Sequence, residues 1–101
     1  MEFKHSPAPW DLNKRTDGFN IVDGDNSGFV AHVPKQDNAH LIAAAPELLE
    51  ALQSIQRSMA KYIEVANNIG VEALADGFYL GHAIDVEEKA RQAIAKALGQ
   101  K

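Results

Sequence analysis

The apolar positions of this chain change period once. Phe19 and Ile21 alternate with Asn20, the run Gly24-Asp25-Asn26-Ser27-Gly28 interrupts, and Phe29, Val30, Ala31, His32 and Val33 resume behind it. A period of two on both sides of a glycine-containing connection predicts an antiparallel hairpin. Trp10 to Arg15 reads as one more strand ahead of the turn residues Thr16-Asp17-Gly18, approached through the extended stretch Ser6-Pro7-Ala8-Pro9. Pro34 has no N–H to donate and closes the ladder. Residues 1–36 are therefore expected to form a small antiparallel β-hairpin or meander.

Behind it the period becomes helical. Asp37 or Asn38 can cap a helix N-terminus, and Leu41, Ile42 and the alanines give that helix an apolar side over residues 37–45. Pro46 disfavours helical geometry at Ala45 and removes a helix hydrogen bond, so the chain should stop near Ala44 or kink there. It then restarts with Pro46 in first position and Glu47 at the positive end of the helix dipole. Leu48, Leu52, Ile55, Met59, Tyr62, Ala66 and Ile69 follow at alternating spacings of four and three, a coiled-coil-type seam along a helix over 46–70 that Gly70 should end. Residues 71–84 contain glycines and the aromatics Phe78 and Tyr79 and read as a loop. Asp85-Val86-Glu87-Glu88 then resembles a capping box, and Val86, Ala90, Ala93 or Ile94, and Ala97 carry a last helix over 85–99 to Gly99.

The expected class is α+β in one domain: the meander, a short helix, and two long helices packed as an antiparallel hairpin. The seam helix would be roughly 36 Å long, more than a domain of this size covers alone. That predicts a homo-oligomer, a dimer or larger.

Composition narrows the partners. The net charge is −4, and the 10 basic residues are scattered, so no basic stripe is available to neutralise duplex phosphates. The acidic residues are too interspersed to imitate a nucleic-acid backbone. With no cysteine, disulfides, thiolate nucleophiles and cysteine-bound zinc are excluded. The first ten residues lack the apolar stretch of a signal peptide, and no window is apolar enough to span a bilayer, so a cytoplasmic protein is expected.

Candidate chemistry is sparse. The four histidines, at 5, 32, 40 and 82, lie in different segments and none forms a metal-binding spacing with another. Asp23 and Asp25 sit among turn residues, and Pro34 or Gln36 stands where a calcium loop needs its last glutamate. No metal, cofactor or catalytic set is expected, and the protein reads as a non-enzyme. Trp10 suits a lid over the core, or alternatively a platform for a base. Asn38, His40, Arg57, Lys61 and Tyr62 supply the donors and the aromatic that could hold a compact anionic ligand, with arginine gripping phosphate by two bonds and lysine acting as a point charge.

HSPAPW at 5–10 and NAHLIAAAPELLEALQ at 38–53 resemble the HTPGPW-like and NARLIAAAPELLEAL-like motifs of a widespread group of small phage and prophage proteins. His40 stands where that group commonly has arginine. The resemblance implies phage origin. A sheet followed by two helices is also similar in architecture to the Thoeris anti-defence sponges, which sequester cyclic nucleotide immune signals between subunits without cleaving them. These resemblances imply an anti-defence binding protein acting in the infected bacterial host. Its expected partner is a small cyclic nucleotide or, alternatively, a host defence protein that it inhibits in the manner of an anti-CRISPR.

Overall fold

The computed structural model describes residues 5–24, 28–69 and 76–100, with side chains for all of these except 69 and 76–79. The fold is α+β: strands β1 (Asp11–Arg15), β2 (Gly18–Val22) and β3 (Phe29–Val33), a short helix α1 (Gln36–Ala43), and long helices α2 (Ala45–Ile69) and α3 (Asp76–Ala97). Two compact units divide it, Met1–Leu48 and Leu49–Lys101. They are called here the sheet unit and the helical unit.

In the sheet unit the strands form an antiparallel sheet in the order β1-β2-β3. Gly18 makes the first turn possible: its φ is +140°, and a Cβ there would lie 2.7 Å from the Pro34 Cα. Between β2 and β3 the register slips. Ile21 pairs with Ala31 but Val22 pairs with Phe29, so Val30 is an extra residue in the ladder, a β-bulge. The connection is tied by Asp23, whose N–H donates to the Gly28 carbonyl at 2.9 Å and whose Oδ1 accepts from the Gly28 N–H at 3.2 Å. Asp25 lies outside the described residues.

The core of this unit is Ile21, Val33 and Ala39, with Trp10, Leu12, Phe19, Val30, Ala31 and Ile42 packed around it. Its helix, α1, starts directly after Pro34, with Lys35 as an extended N-cap that makes no side-chain capping bond. The expected caps Asp37 and Asn38 are instead inside the first turn, because the chain enters the helix as soon as the strand ends. Ala39, Ile42 and Ala43 turn toward the sheet at helical spacing. Leu41, expected on that side, is 62% exposed, since two residues of helix rotate a side chain to the opposite face.

At the joint, α1 ends at Ala43 and α2 begins at Ala45. The Ala44 N–H still bonds the His40 carbonyl at 3.1 Å, and the Ala44 carbonyl accepts from the Leu48 N–H at 2.9 Å. Pro46 falls in the first turn of α2, where its missing N–H costs nothing.

In the helical unit α2 and α3 run antiparallel, which the side chains between them show: Gln56 meets Glu87, while Met59 and Tyr62 meet His82, Ala83 and Val86. The helix expected from residue 85 begins at Asp76, nine residues earlier, so the part of the expected loop at 76–84 is helical. Residues 70–75 lie outside the described set. Gly77 and Gly81 argue against a helix by about 1 kcal/mol each. What outweighs them is a continuous row: Leu80, Ala83, Ala90 and Ile94 are buried at helical spacing with Glu87 half-buried among them. The capping-box residues are consequently interior, and Asp85 pairs instead with Lys89 one turn on, at 3.0 Å. Gly99 adopts φ +75° and ends α3 in a Schellman motif, with Gln100 N–H on the Ala95 carbonyl and Gly99 N–H on that of Lys96.

Candidate interaction surfaces

Two surfaces, one on each unit, stand out once the expected ligand residues are located. Trp10 is half-buried against the sheet core, and its indole N–H donates to the Ser6 carbonyl at 2.9 Å. That makes it a lid held in place at its polar edge. Asn38 and His40 are exposed on α1 two residues apart, and so on different sides of it. The His40 ring faces Gln36, with their nitrogens 3.5 Å apart. Arg57 and Lys61 are exposed one turn apart on α2, and neither takes part in a salt bridge among the described residues. Tyr62 is on another side of the helix, about 140° round from Lys61's other neighbour Arg57. The structure thus groups Arg57 with Lys61, and groups Tyr62 with neither.

Tyr62 lines a different feature. With Met59 it forms one wall of a groove of about 330 Å³ whose other wall is His82, Ala83 and Val86 of α3. Sequence reading had Met59 and Tyr62 on one seam but lacked the second wall, because 71–84 reads as a loop.

That seam is itself divided. Leu52, Met59 and Ala66 turn inward, joined by Leu49, Gln56 and Ile63, all buried or half-buried. Ile55 and Tyr62 remain 49% and 42% exposed, and Val65 beside them 47%. Leu48, in the part of α2 that belongs to the sheet unit, is 53% exposed. The Ile69 side chain lies outside the described set.

On the sheet unit the missed residue is Phe29, 65% exposed at the start of β3. The bulge is the reason: Val30 takes the core-facing place and Phe29 turns out beside Val22. On the same outer face His32 Nδ1 donates to Asn20 Oδ1 at 2.7 Å, and its Nε2 stands 3.7 Å from Asp17 Oδ1. Among the described residues β3 pairs only with β2, leaving its far edge open. The edge strand β1 carries Asp11, Lys14 and Arg15, whereas β3 reads FVAHV and has no permanent charge.

The most constrained ionisable group is Glu87. It accepts from Gln56 Nε2 at 2.7 Å and from Arg91 Nε at 3.3 Å, and these bonds, Gln56 first, hold its carboxyl below the usual range. The arrangement ties α2 to α3 by one side-chain hydrogen bond and presents no nucleophile. Among the described residues no three metal-ligating side chains gather, and no helix is long and apolar enough to cross a membrane.

A small α+β chain with an exposed aromatic on its sheet, an apolar groove between its long helices and a polar clamp is the class that geometry defines. The chain belongs to the family described as Salmonella phage P22 protein Y8K6, whose model matches residues 1–101, and it is accordingly a phage protein. Neither a curated protein nor a solved structure matches it.

Proposed function

We propose that this phage protein works by binding, without catalysis, and that it inhibits a bacterial defence system by contacting one of its proteins in the cytoplasm of the infected host. The observation that carries the reading is Phe29, an exposed aromatic at the head of an uncharged, open edge strand. An open edge offers unpaired backbone N–H and C=O groups to a partner strand, and natural proteins usually guard such edges with charge. β1 is guarded in that way and β3 is not. Phe29 then supplies the aromatic anchor on which such contacts concentrate their energy.

Because Phe29 is mostly in solvent, Phe29→Asp should leave the fold intact, with a melting temperature within a few degrees of the parent protein. Phage carrying it should plate on a defence-bearing host as poorly as phage lacking the gene, and the variant should lose its host partner in a pull-down. Full protection by Phe29→Asp would sink the proposal.

A second reading, capture of a cyclic nucleotide signal, is favoured by Arg57 and Lys61, two exposed cations one turn apart that could grip a phosphate. Its test is thermal: cyclic dinucleotides or cyclic ADP-ribose isomers well above micromolar concentration must raise the melting temperature, since a ligand of the folded state stabilises it. No shift rules this reading out and leaves the first untouched.

A further inference from the structure

The helical unit carries more apolar surface than its own two helices cover. On α2 the positions Ala51, Ile55, Ser58, Tyr62 and Val65 recur at spacings of four and three, all exposed. They form a second stripe, beside the one that packs on α3. On α3, His82, Val86 and Ala93 are exposed or half-buried at spacings of four and seven. Both stripes open to the same side of the hairpin, because Tyr62 of the first and His82 and Val86 of the second line one groove. Inside the unit, by contrast, the buried apolar set among the described residues is Leu49, Ala66, Leu80, Ala83, Ala90 and Ile94, half of it alanine.

We propose that a second copy of this chain covers that side, the two hairpins meeting face to face about a twofold axis as a four-helix bundle with the groove residues at its centre. Three properties favour a second copy over another occupant. The apolar side is two helices wide, and a single partner helix would leave one stripe in water, whereas an identical hairpin matches both in width and length. The α2 stripe alone runs about 21 Å, and two such hairpins facing each other bury on the order of 800 Å² from each copy, the size of a stable interface. The α2 stripe contains no Asp, Glu, Lys or Arg, and Lys89, which lies on the α3 stripe between Val86 and Ala93, is paired with Asp85 of its own helix at 3.0 Å, so twofold self-pairing brings no unpaired like charges together. Small residues at Ala51, Ser58 and Ala93 let helix axes approach closely. The proposal is independent of what the sheet unit engages.

Light scattering on the full chain at tens of micromolar should give twice the 11.0 kDa of one copy. The melting temperature should rise with protein concentration, a property no monomer shows. The double variant Ile55→Glu/Val65→Glu, at exposed positions that a monomer tolerates, should be monomeric and lose that concentration dependence; Arg57→Glu, on another side of α2, should stay dimeric. Should the double variant fail to fold, the parent protein's mass and concentration dependence still decide. A monomeric parent protein overturns the proposal, as does a dimer that survives Ile55→Glu/Val65→Glu. If the parent is monomeric and that variant loses anti-defence activity while folded, the surface belongs to a different protein.

Discussion

The sheet unit and the helical unit spend their apolar residues differently. Three five-residue strands and an eight-residue helix close around Ile21, which is fully buried, and the lids Trp10 and Ile42 finish the job. Among the described residues the two long helices bury Ala66, Ala83 and Ala90 with Leu49, Leu80 and Ile94, and leave Ile55, Tyr62 and Val65 about half in solvent. A short amphipathic sheet needs one cover, and α1 supplies it. A helix apolar over two adjacent stripes needs two neighbours, and within the helical unit the described residues give α2 one, α3. The contrast teaches that the sheet unit closes its own core, while the helical unit leaves a second apolar stripe of α2 exposed.

The strongest test compares the same deletion in both units. Ile21→Ala should cost about 3 kcal/mol, because the cavity opens in a closed core, and amide exchange should show the loss in β1, β2, β3 and α1. Ile55→Ala in dilute protein should cost less than about 1 kcal/mol, since its side chain is already half in water. Equal losses by chemical denaturation in dilute protein would break the comparison.

Much of this was legible from residue order. The alternation around Ile21 and the proline after Val33 mark β2 and β3, and Pro46 separates α1 from α2 because it removes a helix hydrogen bond and disfavours helical geometry just before it. Other features hinge on facts that periodicity does not carry. The bulge at Val30 reverses the parity of Phe29, so a strict alternation places that ring inward when it points out. The seam of four-three spacing shows that α2 has partners without showing which, and only the structure divides Met59, turned toward α3, from Ile55, turned away. Among the expected ligand residues, Trp10 went to the core and Tyr62 to a groove whose far wall is Val86 of the expected last helix together with His82 and Ala83, which read as loop.

That misread stretch supplies the next prediction, of opposite sign. Gly81 lies in the second turn of α3, between the buried Leu80 and Ala83, with nothing within 4 Å of where its Cβ would be. Gly81→Ala therefore removes backbone freedom from the unfolded chain and adds no clash. It should stabilise the protein by about 1 kcal/mol and raise helical ellipticity slightly. Destabilisation would mean that α3 does not run back to Asp76, and the helical unit would lose the wall on which its groove depends.

The smallest expected effect isolates the polar clamp between the two helices. Gln56→Ala should cost about 0.5 kcal/mol at neutral pH, the low end for a hydrogen bond, because Arg91 still serves the carboxylate and water can take the vacated place. Its pH dependence is more telling than its size. The folded protein holds Glu87 below its ordinary value of 4.5, so the stabilisation is complete above that pH and fades as the pH falls through the lowered folded value. Gln56 is the larger cause of the shift, so parent and variant stabilities should converge as the solution is made acidic. A gap that stays constant from neutral pH into strong acid would show that Gln56 acts by packing alone, and that the register of α2 on α3 is set by their apolar rows without help from charge.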